Sequence, residues 1–166
     1  CGAKTIVHDI THRMLQLAHL RQARSPERVE FITGDMTSLP FRSASFDLVT
    51  TGYGLRNVPD LDLAIDEIAR VLKPGGRLLS LDFNRPENAI VRGAYLGYLA
   101  AVGSPLGWVL HRDPDTYRYI PASIRRYPGA RGVADRLTAR GFDRVTAIPL
   151  LFGLMSLHLG TRSSRP

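Results

Sequence analysis

The chain is nearly without cysteine. One in 166 residues, Cys1, excludes a disulfide framework and a cysteine-built metal site, and it argues against a cysteine nucleophile. His8, His12, His19 and His158 do not have the spacing of metal ligands, so no metal is expected. There is no internal repeat and no low-complexity segment. No charged, apolar and cleavable leader pattern opens the chain, so a cytoplasmic protein is expected. Acidic residues are scarce in the second half. Residues 84–166 carry twelve Arg and five acids, whereas residues 1–83 carry ten Lys/Arg and ten acids, so the whole +7 charge lies in the second half. Such a surplus suits nucleic acid, an anionic membrane surface or a solvated arginine face.

What is present reads as one α/β domain. The length allows a real core, and 44% hydrophobic with 22% charged residues is ordinary for a globular protein. Thr5–Asp9, Val29–Thr33, Phe46–Thr51 and Arg77–Phe83 are predicted strands. Thr11 is a candidate cap for a helix whose face is Met14, Leu15, Leu17, Ala18 and Ala23, reaching Ser25-Pro26. Asp60 caps a second helix with Leu61, Ala64, Ile65, Ile68 and Leu72 on one stripe, and "KPGG" stops it. Alternation at this spacing implies βαβ units and a mostly parallel sheet. A helix around Gly132–Arg140 precedes Val145–Leu151 and Leu154–Gly160, which read as an antiparallel hairpin closing the sheet. Residues 1–160 are thus one domain, with a cap or insert at 84–128 and a tail at 161–166.

The insert holds eighteen uncharged residues, Gly93 to Leu110. That length touches the transmembrane threshold, but four glycines, a serine and Pro105 interrupt it. An apolar cap over a binding site, or a plain core helix, fits better.

Four places can carry chemistry. Asp9 ends a strand, where its two oxygens can accept both hydroxyls of a ribose; equally it can cap the next helix. Only eight residues, with one glycine, precede it. Asp35 and Met36 follow the second strand, where a carboxylate can accept from an adenine amino group and Met36 with Met14 can sandwich the ring; a turn aspartate after Gly34 is the plainer reading. "TTGYGLRNVPD" brings Gly52, Gly54, Arg56 and Asn57 to the sheet edge where open α/β folds put ligands. "HRDPDTYRYIPASIRRYP" adds His111, Asp115, Tyr117, Arg118 and Arg125.

The runs "DITHRML", "GDMTSLPFRSASFDLVTTGYGLRNVPD", "EIARVLKPGGRLLSLDFNRP", "DPDTYRYIPASIRRYPG" and "GFDRV…GLMSLHLGTR" resemble the UbiE/MenG group of S-adenosylmethionine-dependent C-methyltransferases of quinone biosynthesis. The resemblance covers nearly the whole chain. It implies the Rossmann-like class I methyltransferase fold, S-adenosyl-L-methionine as cofactor, and methylation of a ring carbon in a prenylated benzoquinol or naphthoquinol. By position Asp9 matches the ribose-binding acid, Asp35-Met36 the pair beside adenine, and Gly52 a position near the methionine part of the cofactor. Arg56 and Asn57 match the active-site loop. The group's first strand and glycine-rich loop are missing from this chain, which leaves an expected gap between Thr5–Asp9 and Phe46–Thr51. The chain is therefore expected to be a C-terminal fragment of a longer enzyme or a truncated product, binding cofactor weakly or not at all until upstream residues are restored.

On this resemblance Asn57 is expected to orient the quinol oxygen and Arg56 to stabilise the developing phenolate, directly or through water. Tyr117 or His111 would take the proton, since arginine is too basic to act as a base. The partner is a lipid-tailed quinol, with peripheral membrane contact through 93–110 and the basic second half. Nucleic acid is not expected, because "TGYGLRN" lacks the Asn/Asp-Pro-Pro-aromatic run of base-amino methyltransferases. The alternatives are another small-molecule methyltransferase of the same fold, or a non-catalytic remnant acting as a binding or assembly subunit.

Overall fold

The computed structural model describes residues 2–22, 29–111 and 119–164, with the backbone alone at 100 and 102–111. In order come β1 (Thr5–Asp9), α1 (His12–Gln22), β2 (Val29–Thr33), β3 (Phe46–Gly52), a 3-10 turn (Leu55–Asn57), and α2 (Leu61–Val71). Then follow β4 (Leu72–Phe83), α3 (Ala89–His111), α4 (Tyr119–Arg126), α5 (Gly129–Ala139), β5 (Phe142–Leu150), a second 3-10 turn (Leu151–Gly153) and β6 (Met155–Arg162).

The strands form two sheets. β1 pairs with β2 in parallel, and a four-stranded sheet runs β3-β4-β6-β5. β3 and β4 are parallel, while β6 is antiparallel to both β4 and β5. Among the described residues no ladder joins β1 to β3, the place where the sequence leads one to expect a gap.

α2 forms where its pattern predicts. The Asp60 carboxylate accepts the Leu63 N–H at 3.0 Å, and Ala64, Ile65, Ile68 and Val71 are buried. Ala64, Ile65 and Ile68 meet Val133 and Leu137 of α5, together with Leu55, Leu72, Leu78, Tyr127 and Phe142, in the main core. Asp62 and Asp66 of α2 bind Arg136 and Arg140, which fastens α2 to the end of α5. A smaller cluster of Tyr95, Leu96 and Ile124 joins α3 and α4, with Phe83 and Leu154 packed against it.

The two faces of the larger sheet differ. Aligned positions place Val49, Leu78, Ser80, Asp82, Ser156 and His158 on one face and Leu48, Leu79, Leu81, Leu157 and Ile148 on the other. The first face is buried apart from the half-buried Val49, and four of these six residues are polar. The second is apolar, yet Leu48 and Ile148 are exposed.

Several expectations need correcting. α1 buries only Leu15; Met14 and Leu17 are exposed because a two-stranded sheet offers too little surface to cover the rest of that face. α2 ends at Val71, and β4 starts directly at Leu72, which pairs with Phe46. α5 starts three residues early, at Gly129, whose φ of +79° suits glycine. Residues 161–162 are not tail: Thr161 and Arg162 pair with Asp143 and Phe142, and the Ser163 N–H reaches the Gly141 carbonyl at 2.8 Å. The uncharged run lies in α3, and among the described residues no helix is long and apolar enough to cross a membrane.

Candidate functional site

β1 ends in Asp9, β2 is followed by Gly34-Asp35-Met36, and β3 ends in Gly52. All three ends open onto one trough that continues into the gap between β1 and β3, about 1910 Å³ in all, lined also by His8, Tyr53, Gly54 and Asn57. Parallel strands direct their carboxyl ends to one edge, so the topology gathers these residues although they are up to 48 positions apart (Asp9 to Asn57).

Both carboxylates are tied back to their own loops by one oxygen. Asp9 Oδ1 accepts the Thr11 N–H at 2.7 Å, and Asp35 Oδ1 accepts the Thr37 N–H at 2.8 Å. The turn reading of Asp35 is thus realised, while Asp9 holds the Thr11 N–H ahead of α1 and caps none of the helix's own N–H groups. Asp9 keeps a second oxygen with no described partner, whereas the Asp35 carboxylate is also bonded by the Thr37 side chain. Hydrogen bonds from Thr37 hold the Asp35 carboxyl below the ordinary carboxylate range, with the nearby His8 adding to this. His8 itself is pushed down by burial, against the pull of Asp9 and Asp35. Its Nε2 is buried without a protein partner.

Glycine is required at two points of this wall. A Cβ on Gly34 would sit 2.6 Å from His8 Nε2, and one on Gly54 would sit 2.6 Å from Thr51 Oγ1 and 2.9 Å from Met36 Cε. Gly52, by contrast, has open space where a Cβ would be. Between them Tyr53 adopts a φ of +57°, costly for an aromatic residue, and its ring tilts against Phe83 at 5.2 Å. Met14 does not line the trough and is exposed on α1, so it forms no pair with Met36 in this structure.

In the turn after β3, Arg56 is buried and held by several partners, and it also lines a second cavity. Its Nε donates to Asp82 Oδ1 at 3.0 Å, its backbone N–H to Asp82 Oδ2 at 3.0 Å, and Nη1 to Ser123 Oγ at 2.5 Å. Its guanidinium also stacks over Phe83 and Tyr119, at 5.1 and 5.8 Å. The expected open cation facing a substrate is corrected accordingly: the Asp82 carboxylate outcompetes the trough for it. Asn57, next in sequence, is exposed and lines both the trough and that second cavity, of about 600 Å³ beneath α4. Its Nδ2 donates to the Tyr53 carbonyl at 2.9 Å, which leaves Oδ1 unpartnered. Tyr117 lies outside the described residues, as does the side chain of His111.

Sequence reasoning passed over Asp82, Ser123 and Tyr127. The available signal was polarity at every second position of β4, Ser80 and Asp82, on a strand with a buried face. Around Asp82 the Ser80, Ser156 and Tyr127 hydroxyls and His158 Nδ1 are buried without protein partners. Burial pushes the Tyr127 phenol up, and the Asp82 charge beside it adds to the effect. Among the described residues no three His, Cys, Asp or Glu side chains are placed to hold a metal.

The comparisons agree with this geometry. Residues 2–162 match the ubiE/COQ5 methyltransferase family. The chain is 37% identical over 161 residues to the ubiquinone/menaquinone biosynthesis C-methyltransferase UbiE of Pseudomonas fluorescens, covering 96% of the chain and 63% of the relative. It is 39% identical over 160 residues to the UbiE of Dinoroseobacter shibae, covering 95% and 64%. The chain thus spans less than two thirds of these relatives' length. Among solved structures, a SAM-dependent methyltransferase of Methanosarcina mazei superposes with a TM-score of 0.65 at 21% identity, covering 99% of this chain and 84% of the other. A SAM-dependent methyltransferase of Thermotoga maritima, described as a possible histamine N-methyltransferase, gives 0.66 at 18%, covering 96% and 73%. The fold is that of the SAM-dependent methyltransferases, and the chain belongs to the ubiE/COQ5 methyltransferase family.

Proposed function

We propose that this chain carries the adenosine-binding and acceptor-facing parts of an enzyme that methylates a ring carbon of a lipid-tailed benzoquinol or naphthoquinol from S-adenosylmethionine. The observation that carries the reading is the pair Asp9 and Asp35. Both carboxylates are tied to their own loops and line a single trough that also takes in Gly52 and Asn57. The naming of the relatives as quinone-biosynthesis C-methyltransferases supplies the acceptor class.

The residues fit the cofactor. Asp9 accepts the ribose hydroxyls, and Asp35, held ionised by Thr37, accepts from the adenine amino group. Met36 offers an apolar side chain to the ring. Gly52 presents only backbone toward the methionine part, and the glycine at 54 keeps the wall open. When bound, the cofactor supplies an electrophilic methyl group in line with the attacking ring carbon.

The protein has then to align the acceptor, exclude water and accommodate the hydroxyl proton that the acceptor loses. Asn57 orients the acceptor oxygen from the junction of the two cavities. Arg56 acts as a positioning residue, because Asp82 fixes both its backbone and its side chain and so sets where Asn57 stands. The apolar run 93–110 and the basic second half favour approach to a membrane that holds the tail of the acceptor.

Calorimetric titration with S-adenosylmethionine tests the assignment. Asp9→Asn and Asp35→Ala are each expected to weaken binding by about tenfold or more, while Asp143→Asn on β5 leaves it unchanged. The titrations use the chain with its upstream residues restored; equal affinities across all four proteins would sink the site, and no uptake by that extended parent would sink the cofactor.

A further inference from the structure

The tip of the β5–β6 hairpin is built against its own sequence. Leu151 and Phe152 take φ values of +48° and +56°, followed by Gly153 at +84°. Bulky side chains avoid that region, and a hairpin that needed only to turn would use glycine or asparagine there. The strained backbone holds Phe152 fully exposed and Leu151 mostly so, next to the half-exposed Leu150. Water is a poor environment for such a tip, and no described element covers it. Backbone strain of this kind points to a use for what it displays.

The surroundings suggest the use. Tyr95 of α3 donates through its hydroxyl to the Leu154 carbonyl at 3.4 Å, which sets α3 beside the tip. Val91 and Tyr98, one turn either side of Tyr95 on the same helix stripe, are exposed as well. The side chain of Asn84 then ties the tip to α5: Nδ2 donates to the Gly153 carbonyl at 2.9 Å, and Oδ1 accepts the Ala130 N–H at 2.7 Å. Cations flank this junction. Arg131, which follows Ala130, is exposed, Arg85 beside Asn84 is half-exposed, and Arg92 beside Val91 is half-buried with its Nη1 donating to the Pro86 and Glu87 carbonyls; Glu87 is the exposed acid among them. The tip also sits at the same sheet edge as the trough, since Met155 pairs with Phe83 at the carboxyl end of β4.

We propose that Leu150, Leu151 and Phe152, with Val91 and Tyr98, form a wedge that docks the protein onto an anionic lipid bilayer. Apolar groups enter the acyl boundary while the flanking arginines meet lipid phosphates. This deepens the functional reading above and rests on it only for the path of the acceptor. A wedge at the ligand edge turns the mouth of the site toward the bilayer, so a lipid-tailed ring reaches Asn57 without leaving it.

Co-sedimentation with phosphatidylglycerol/phosphatidylcholine vesicles at low and high salt tests the proposal. The parent chain is expected to bind anionic vesicles and to release as salt rises. Phe152→Asp should lower partitioning by about tenfold or more without lowering the melting temperature, because the side chain is fully exposed and aspartate tolerates the positive φ better than phenylalanine. A Phe152→Trp variant should retain binding and show quenching by brominated lipid beyond that of Trp108 in the parent. Undiminished binding by Phe152→Asp, no quenching of the new tryptophan, or no binding by the parent would each overturn it. So would a parent that self-associates and a Phe152→Asp that is merely monomeric, since the tip would then meet a second copy. Vesicle docking with no uptake of S-adenosylmethionine even by the chain with its upstream residues restored would fail the functional reading and leave the docking surface standing.

Discussion

Asp82 holds Arg56 at two points. One carboxylate oxygen accepts the Arg56 backbone N–H and the other its Nε, both at 3.0 Å, with both side chains essentially without solvent contact. A residue at the end of β4 thereby sets the backbone of a loop that follows β3. The strand ladder positions Asp82, and Asp82 positions the loop.

Removing the acid should therefore cost more than removing the pair. Asp82→Ala leaves a buried guanidinium uncompensated, and we expect about 3–5 kcal/mol of lost stability in denaturant unfolding. Arg56→Met in the same background should recover a substantial part of it. Additive losses in the double-mutant cycle would show that the two do not act as a unit.

A second prediction concerns pH. Burial pushes the imidazole of His158 below the ordinary histidine value of 6.5, outweighing its hydrogen bond to the Ala130 carbonyl and the attraction of Asp82. Below pH 6.5 the unfolded chain then binds a proton that the folded chain refuses. His158 thus supports the fold fully above pH 6.5, and that support falls as pH drops toward the lowered folded value. Unfolding midpoints between pH 5 and 7.5 should show a shallower slope in His158→Met than in the parent. Identical slopes would remove His158 as the source.

The cradle at Gly54 gives a third. Its φ of −90° is open to any residue, so the cost of Gly54→Ala is steric alone. Overpacking of this kind costs about 1–3 kcal/mol. Thr51→Ala removes the hydroxyl that a new Cβ would strike at 2.6 Å, and it should relieve part of that loss. Thermal melts of the two single variants and the double variant decide it; no relief would place the strain on Met36 instead.

Local signals were legible in the sequence, and pairings at a distance were not. α2 could be read because Asp60, its apolar stripe and its acidic first turn all concern neighbours within a few residues. The hairpin of β5 and β6 could be read for the same reason, from two apolar runs around Phe152-Gly153. Asp9, Asp35 and Gly52 could be found as strand-end residues, and the topology does bring them to one trough. The engagement of Arg56 could not be found, since its partners stand 26 and 67 residues away and a charged loop residue looks the same whether paired or free. Met14 misled for the opposite reason: helical periodicity marks a face as apolar without stating whether any element is there to cover it.

The tie made by Asn84 carries one more implication. It donates to a carbonyl on one side and accepts from an N–H on the other, a two-way bond that only an amide side chain of that length can make. An aspartate of nearly the same shape would set a lone pair against the Gly153 carbonyl, and a leucine would strand both backbone groups. One side chain therefore works like a keyed joint, admitting the hairpin tip and the start of α5 in a single relative orientation. Any loosening of that joint would turn the wedge and the mouth of the trough away from each other.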